Sequence, residues 1–272
     1  MDARLQRRVQ RYGWDKAVSH YERFWRHQLE PAQRRLLEMA DLEPGERVLD
    51  VACGTGLVSF PAAAAVGPEG HLVGTDLSDQ MVRAAQEDAA ARGMDHAVFQ
   101  RMDAEELTLL NDEFDAALSA LGFMYYPDPL KAAQEMWRVL RPGGRAVAAV
   151  WGSRDRCGWA EIFPIVDSRV RSEVCPLFFQ LGTGEGMEIT LEGAGFTGIV
   201  TDRISTILRY DSWEDACGAA FAGGPVALAY SRFDDDTRDE AHREYLDSIE
   251  PYRQGERYEI PGEFVIVRGH KQ

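Results

Sequence analysis

Short apolar runs alternate with stretches of helical spacing throughout residues 41–152. The segment 47–56 predicts a buried strand followed by a glycine turn and a helix, and the next apolar run ends at Asp76. Three more strands are predicted at about residues 99–102, 114–120 and 145–151, and a helix is predicted at about 130–140. Strands that alternate with helices in this way predict an α/β domain built on a parallel sheet.

Three segments fall outside this alternating pattern. Residues 1–40 keep one apolar helical face, which carries Trp14, Ala17, Val18, Tyr21, Phe24, Trp25 and Leu29. Residues 153–187 and 211–255 interrupt the last part of the sheet, whose final strands are expected at about 199–208 and 258–267. The second interruption is long enough for two helices, predicted near 212–221 and 235–250. We expect both insertions to lie over the carboxyl ends of the strands, where ligands bind in open α/β sheets.

Two glycines and two carboxylates mark the ends of the first two predicted strands. Gly54 and Gly56 have no side chain to keep a ligand away from the backbone. Asp76 lies where its carboxylate can accept hydrogen bonds from both hydroxyls of a ribose. A dinucleotide fingerprint would require glycine or alanine where this chain has Ser59, which disfavours a nicotinamide cofactor. Asp50 would repel a pyrophosphate but attract a cationic ammonium or sulfonium.

These motifs resemble those of a known enzyme family. The run 48–56 resembles the first motif of the class I S-adenosylmethionine (SAM)-dependent methyltransferases, and the acid-ended strand at 99–105 matches a later one. The run 140–144 is similar to a phrase in the branch that includes the ubiquinone and menaquinone biosynthesis methyltransferases. The resemblance is close over residues 41–152. It implies a Rossmann-like α/β fold with helices on both faces of a seven-stranded, mostly parallel sheet of order 3-2-1-4-5-7-6, with helical lid and cap insertions.

The same resemblance implies the domain organisation and the cofactor site. Residues 1–40 are expected to form a lid, and residues 41–272 a methyltransferase domain with cap insertions at 153–187 and 211–255. The cofactor is expected to be SAM and the product S-adenosylhomocysteine (SAH), with Asp103 meeting the adenine amino group. The implied cofactor-binding residues are Trp14, Tyr21, Asp50, Ala52, Gly54, Thr55, Gly56, Asp76, Leu77, Met81, Asp103, Ala104 and Ser119.

Methyl transfer from a sulfonium asks little of the side chains, because the methyl group is already activated. The enzyme chiefly holds a nucleophile in line with the carbon–sulfur bond and excludes water. An alcohol or phenol acceptor would also need a base, for which His20, His27, Tyr125 and Tyr126 are candidates. A polar position on a surface helix is the competing interpretation of both histidines. The sequence assigns no catalytic residue and leaves the accepting atom open among oxygen, nitrogen, carbon and sulfur.

Aromatic residues around the inferred pocket indicate a small-molecule acceptor. Tyr125, Tyr126, Trp151 and Trp159 would suit a flat or apolar molecule, or an amine held by cation–π attraction. The residues after the fourth strand, 119–122, lack the Asn/Asp-Pro-Pro-aromatic sequence that holds an adenine amine or a planar amide in related enzymes. That difference argues against methylation of adenine N6 or glutamine.

Charge and composition exclude several other partners. Residues 1–40 carry a charge of +4, which leaves −19 for the remainder of a chain whose total is −15. So acidic a body would repel a phosphate backbone, and a nucleic-acid substrate is disfavoured. The sequence contains no apolar run of bilayer length and no leader, so we expect no membrane insertion and a cytoplasmic location. Monomer and homodimer remain equally open.

The four cysteines show no paired C-x-x-C spacing, so neither a metal site nor a disulfide framework is predicted. Cys157, Cys175 and Cys217 all fall in the expected cap, which leaves an arsenite methyltransferase as a lower alternative. Packing of buried cysteines is the commoner arrangement. A non-catalytic SAM-binding module or partner subunit is also open, as is a dehydrogenase with another adenosine cofactor, since fold and cofactor do not establish chemistry.

Overall fold

One mixed sheet organises the molecule, for which the computed structural model describes residues 3–170 and 178–272. Its strands are β1 (Arg47–Val51), β2 (His71–Asp76), β3 (Ala97–Arg101), β4 (Phe114–Ala120), β5 (Leu140–Trp151), β6 (Thr197–Tyr210), β7 (Arg253–Gln254) and β8 (Arg257–His270). The order across the sheet is β3-β2-β1-β4-β5-β8-β6, and β7 pairs only with β8. Strands β1 to β5 are parallel, whereas β8 runs antiparallel between β5 and β6. The predicted strand order is confirmed for the seven principal strands, and β7 is an addition.

The central strands explain why the sequence shows continuous apolar runs there. Residues 146–150 of β5 are fully buried, and the same holds for Val48 and Leu49 of β1. Such strands are covered on both faces by helices, so neither face can be polar. The edge strand β6 instead alternates exposed and partly buried positions along most of its length. Burial on both faces therefore distinguishes the central strands β1 and β5 from the edge strand β6.

Nine α-helices are present in the described part of the chain. They are α1 (Ala3–Ala40), α2 (Ser59–Val66), α3 (Asp79–Arg92), α4 (Pro129–Val139), α5 (Ile162–Asp167), α6 (Gly186–Gly193), α7 (Trp213–Cys217), α8 (Ala227–Tyr230) and α9 (Asp235–Ile249). Side-chain caps fix where two of them begin. The backbone N–H of Met81 donates to Ser78 Oγ at 3.1 Å before α3, and that of Lys131 donates to Asp128 Oδ1 at 3.0 Å before α4.

The N-terminal segment is one continuous helix that contains Pro31 in its interior. α1 packs across β4, β5 and β8 and also touches α3 and α8. Its buried positions include Ala17, Trp25 and Leu29, which belong to the apolar face seen in the sequence. None of the helices within residues 3–170 and 178–272 combines the length and the apolar character that crossing a bilayer requires. Through these contacts α1 connects the sheet with the second insertion.

Several element boundaries differ from the sequence-based expectations. The helix expected to reach residue 140 ends at Val139, and β5 starts at once, because Leu140 already pairs with Phe114 ahead of a bulge. β8 continues through Pro261 and Gly262, which pair with β6 opposite Ile207 and Thr206. The helix expected at 212–221 is α7 followed by a π-helical turn at Gly218–Ala222. β8 extends beyond the expected 258–267 at both ends, since Arg257 pairs with β7 and His270 pairs with β6.

Candidate active site

A deep cavity opens at the carboxyl ends of the five parallel strands, between the sheet and α1. Segments that directly follow β1 to β4 contribute Ala52, Gly54, Leu77, Met102, Asp103, Ala104, Leu121 and Gly122 to its wall. α1 and the two insertions contribute Arg7, Gln10, Trp14, Tyr21, Trp25, Leu29, Trp159, Phe178, Gly224 and Pro225. The space amounts to about 1050 Å³ when the open solvent at its mouth is included. Apolar walls with a few convergent polar groups make this cavity the candidate ligand site.

The turn after β1 exposes backbone atoms to the cavity. Ala52, Gly54 and Gly56 have φ angles of 59°, 55° and 92°, in the left-handed region that glycine adopts without steric cost. Ala52 is strained in this region because it has a side chain, and so is Leu121, whose φ is 61°. Both of these strained residues line the cavity. Strained backbone that gathers around one cavity is typical of a functional site.

Asp76 ends β2 and holds the glycine turn in place. Its Oδ2 accepts a hydrogen bond from the backbone N–H of Gly54 at 2.9 Å, and its Oδ1 accepts one from that of Ser78 at 2.8 Å. Burial raises the pKa of the Asp76 carboxyl to about 6, although the two backbone donors partly oppose that rise. The carboxylate thus lies in the cavity wall, at the position where the sequence predicts a ribose contact.

Asp50 lies beneath the glycine turn and is 1% exposed. The hydroxyl of Ser59 donates to Asp50 Oδ2 at 2.5 Å, whereas Asp50 Oδ1 has no hydrogen-bond partner among the described residues. Burial raises the pKa of Asp50 to about 7, and the nearby charge of Asp76 adds to the rise. Ser59, the residue that departs from the dinucleotide fingerprint, therefore serves to hold this buried carboxyl.

The predicted cofactor-binding residues separate into two layers. On the cavity wall lie Trp14, Tyr21, Ala52, Gly54, Asp76, Leu77, Met81, Asp103 and Ala104. The remaining four, Asp50, Thr55, Gly56 and Ser119, lie behind the wall. Ser119 is buried, and its Oγ is 3.1 Å from the hydroxyl of Tyr126. Thr55 Oγ1 is buried and has no partner in residues 3–170 and 178–272.

α1 is attached to the cofactor side of the cavity by three charged residues. Arg7 Nε lies 2.8 Å from Asp103 Oδ2, and the same guanidinium pairs with the buried Glu105. Asp15 Oδ1 accepts a hydrogen bond from Ser78 Oγ at 2.6 Å, next to the Asp76 loop. Arg11 pairs with Asp79 at the start of α3. The basic residues Arg7 and Arg11 of the N-terminus therefore form three ion pairs with residues of the sheet domain.

The other side of the cavity is aromatic. Trp151 and Trp159 have ring centroids 4.8 Å apart, and the ring of Trp25 lies 6.1 Å from Trp151 and 6.3 Å from Trp159. Phe178 and Tyr125 extend the cluster, with their ring centroids 5.6 Å apart. We call these five residues the aromatic half of the cavity. The polar half comprises Ala52, Gly54, Asp76, Asp103 and Arg7.

The two candidate histidine bases do not reach this cavity. His20 is exposed on α1 and stacks against Phe24 with ring centroids 6.2 Å apart. His27 is exposed as well and lines a separate surface depression beside Gln28 and Arg209. The candidacy of both as a base is therefore corrected, because α1 directs other residues at the cavity. Tyr125 and Tyr126 do line it, and burial raises the pKa of Tyr126 far above its ordinary value.

Several cavity residues carried no site prediction from the sequence. Arg7, Trp25, Leu121, Phe178 and Pro225 all line the wall. Trp25 could have been singled out, since it belongs to the apolar face of α1 together with Trp14 and Tyr21. Arg7 had no such signal, because its partners Asp103 and Glu105 are nearly 100 residues away.

The cysteines of the cap give little support to arsenite chemistry. Cys157 and Cys217 are buried, and burial raises the pKa of each thiol to about 12. Both are therefore protonated at neutral pH, whereas the thiolate is the form that binds metals and metalloids. Cys175, the third cysteine of that alternative, lies outside the described residues.

Comparisons with known proteins agree with this geometry. Residues 48–144 match the family model described as a methyltransferase domain. An uncharacterized protein of Mycobacterium tuberculosis is 35% identical over 205 residues, which cover 74% of this chain and 72% of that protein. Nocamycin O-methyltransferase of Saccharothrix syringae is 40% identical over 115 residues, 42% of this chain and 41% of that enzyme. Demethylmenaquinone methyltransferase of Listeria monocytogenes is 30% identical over 131 residues, 48% and 55% of the two chains. The chain thus spans about half the length of the named methyltransferases that it matches.

Solved structures show the same fold at low sequence identity. A Haemonchus contortus phosphoethanolamine N-methyltransferase 2 in complex with SAM has a TM-score of 0.63 at 17% identity, and the match covers 95% of this chain and 57% of that one. The [4+2]-cyclase SpnF has a TM-score of 0.56 at 21% identity, with 89% and 80% covered. Fold and site together define a SAM-binding Rossmann-like domain. Residues 48–144 belong to the methyltransferase-domain family whose model they match, and the chain has the fold of the class I SAM-dependent methyltransferases.

Proposed function

We propose that this protein transfers the methyl group of SAM to a small, flat and largely apolar molecule in the cytoplasm. The observation that carries the proposal is the continuity of the cavity, in which the polar half opens directly onto the aromatic half. A cofactor bound in the first would present its sulfonium methyl to an acceptor bound in the second. In this proposal residues 1–40 act as the lid, and the insertions at 153–187 and 211–255 act as the cap over a methyltransferase domain of residues 41–272.

The polar half suits each part of SAM. The Asp76 carboxylate would accept hydrogen bonds from the ribose hydroxyls, and Asp103 would accept one from the adenine amino group. Leu77, Met81 and Met102 offer apolar contact for the adenine ring. Asp50 Oδ1, buried and unpartnered in the described structure, supplies negative charge beneath the turn where the cationic amino-acid end would lie. The residues therefore fit an adenosine cofactor with a positively charged tail.

The described cavity wall favours an acceptor that is already nucleophilic at neutral pH. No histidine or lysine is among its described residues. Burial keeps the pKa values of Tyr21 and Tyr126 well above their ordinary range, so both hydroxyls remain protonated. In the transfer, a lone pair of the acceptor forms a bond to the methyl carbon while the carbon–sulfur bond breaks and neutral SAH leaves. An enolate, a thiolate or a neutral amine needs no base at that moment.

The names of the relatives support a small-molecule acceptor. Two of them are named for methylation of nocamycin and demethylmenaquinone. SpnF, which shares the fold, is named as a cyclase, so the fold alone does not establish methyl transfer. The support for methyl transfer therefore comes from the family membership together with the two-part cavity.

Incubation with methyl-labelled SAM and fractionated cell metabolites tests the proposed function. We expect the label to enter an apolar small-molecule fraction while SAH accumulates in equal amount. Asp76→Ala should abolish the transfer at the same SAM concentration, and Asp88→Ala, on the outer part of α3, should retain it. Tight SAM binding with no SAH formed in any fraction would contradict methyl transfer and favour a non-catalytic binding protein.

A further inference from the structure

Two buried indole donors in the aromatic half are left without partners. Trp25 is 8% exposed and Trp159 is 5% exposed, and the Nε1 atom of each has no hydrogen-bond partner within residues 3–170 and 178–272. Both side chains line the cavity. They come from different segments, since Trp25 lies on α1 and Trp159 in the first insertion. Buried indole N–H groups usually have a hydrogen-bond partner, so two unpartnered N–H groups in one cavity require an explanation.

We infer that Trp25 and Trp159 donate hydrogen bonds to oxygen atoms of the methyl acceptor. The acceptor would then be a flat ring system that carries carbonyl-type oxygens, held between aromatic faces and oriented by two fixed donors. This inference rests on the proposed function in that the bound molecule is taken to be the methyl acceptor. The binding itself does not depend on methyl transfer. Two tryptophans would then select the acceptor. The sequence predicts a pocket role for Trp159 but none for Trp25.

The surroundings of the Trp159 donor favour a ligand oxygen over a trapped water. Trp159 is packed among Trp151, Phe163 and Phe178, with ring centroids 4.8, 6.0 and 5.5 Å away. A buried water needs two to four polar partners, and these rings offer none. A ligand oxygen needs only the indole donor, because the rest of the ligand fills the apolar space.

Trp25 faces the second insertion at a point where the chain has no side chain. A Cβ added at Gly223 would lie 3.2 Å from Trp25 Nε1, so glycine there keeps the indole edge unobstructed. The next two residues, Gly224 and Pro225, line the cavity. The Trp25 donor therefore lies where the cap and α1 meet.

An alternative destination for either N–H group is a neighbouring ring face. Trp25 crosses Trp151 and Trp159 at interplanar angles of 69° and 71°, and Trp159 crosses Phe178 at 88°. An N–H···π contact is weaker than a hydrogen bond to oxygen and does not select a ligand. The two possibilities make opposite predictions for a pair of probes that differ only in one oxygen.

The test compares 1-tetralone with tetralin, which share a bicyclic frame and differ by one carbonyl oxygen. Dissociation constants are measured by ligand-observed NMR on the full chain with saturating SAH present. We expect 1-tetralone to bind about tenfold more tightly than tetralin, because the hydrocarbon leaves a buried donor unpaired. Trp25→Phe and Trp159→Phe keep an aromatic ring but remove the donor, so at least one of them should reduce the preference to about twofold or less.

Trp151→Phe is the matched control, since it removes an indole from the same cavity at a residue whose Nε1 is not among the buried unpartnered atoms. It should weaken both probes by a similar factor and preserve the tenfold preference. Each variant is first checked for an unchanged SAH affinity, which reports an intact cofactor site. Should Trp159→Phe fail that check, Trp25→Phe decides the question alone.

Equal affinity of the wild-type protein for the two probes would overturn the inference and indicate that the indoles face neighbouring rings. A preference that survives both Trp→Phe substitutions would overturn it too, as would the absence of binding by either probe. The proposed function fails separately, through the absence of SAH formation from SAM. A protein that prefers the ketone but never forms SAH would keep this inference and lose the proposed function.

Discussion

The two halves of the cavity are built in different ways. The polar half follows the ends of β1, β2 and β3, and its key contacts join residues that are close in sequence, such as Gly54 and Asp76. The aromatic half joins α1, the end of β5 and the first insertion, so that Trp25 and Trp159 meet although they are 134 positions apart in the sequence. The comparison teaches that the proposed cofactor site is built mainly from strand ends, with Arg7 of α1 added. The proposed acceptor site is completed by α1 and the first insertion around Trp151 of β5.

The largest effect should come from the polar half. Asp76→Ala removes the proposed acceptor for both ribose hydroxyls. It also removes the hydrogen bond from the Gly54 N–H that holds the glycine turn and the one from the Ser78 N–H. We expect the affinity for SAM to fall about 100-fold, since charge-assisted hydrogen bonds contribute about 1.5–3 kcal/mol each. Calorimetric titration of the folded variant measures this, with Asp88→Ala as the control of equal charge change. Unchanged affinity would remove Asp76 from the cofactor site.

The same half should make SAM binding depend on pH. The pKa values of about 7 for Asp50 and about 6 for Asp76 mean that both carboxyl groups become protonated as the pH falls from 8 to 5. A cationic cofactor favours the ionised forms, so SAM should bind about tenfold more weakly at pH 6 than at pH 8. Asp50→Asn should flatten most of this dependence. A wild-type affinity that is constant between pH 6 and pH 8 would contradict the assignment.

The sign of the stability effect is opposite to that of binding. The folded-state pKa values of Asp50 and Asp76 lie above the ordinary value of 3.8, so the folded protein without cofactor binds these protons more tightly than the unfolded chain does. These two groups therefore stabilise the fold most below about pH 4, and that contribution is lost as the pH rises through about 7. The melting temperature of Asp50→Asn should consequently gain on that of the wild type between pH 5 and pH 8.

Substitution in the aromatic half should separate acceptor use from cofactor binding. Trp159→Leu removes a pocket wall and an indole donor, so the Michaelis constant for the acceptor should rise about tenfold. The dissociation constant of SAM should change less than threefold, because Trp159 lies in the other half of the cavity. Normal acceptor use together with a collapse of SAM affinity would mean that the first insertion is a structural support.

The smallest effect should come from the contacts between α1 and the polar half. Arg7→Gln breaks the partly exposed pair with Asp103 and the pair with the buried Glu105. The Oε1 atom of Glu105 still accepts the hydrogen bond from the Asp128 N–H. We expect faster amide hydrogen exchange over the first turns of α1 and a change in SAM affinity of about threefold. Exchange across residues 14–25 should slow when SAH is added. Equal exchange with and without SAH would show that α1 is a permanent wall and not a lid.

The sheet and the polar half could be predicted because local sequence encodes them. A buried strand, a glycine turn and a carboxylate at the end of the next strand all lie within residues 47–76, and the parallel sheet brings them together. Ser59 was interpreted only as a departure from another motif, and its hydrogen bond to Asp50 shows what it does in this one.

The aromatic half could be predicted only in part. Trp151 follows from its place at the end of β5, but the approach of Trp25 and Phe178 depends on how α1 and the insertion fold over the sheet. The histidines of α1 illustrate the same difficulty, because helical rotation places His20 outside while Tyr21 faces the cavity. The partners of Arg7 were equally out of reach, since ion pairs between distant segments leave no periodic signal in the sequence.

The central claim is that the polar half holds the cofactor and directs its sulfur towards the aromatic half. A crystal structure of the protein with SAH tests it most directly. The account predicts both ribose hydroxyls within about 2.5–3.0 Å of the Asp76 carboxylate, the expected range for such hydrogen bonds. It also predicts a sulfur atom that faces the space enclosed by Trp25, Trp151 and Trp159. An SAH molecule whose ribose contacts other residues, or whose sulfur points away from those three rings, would contradict it.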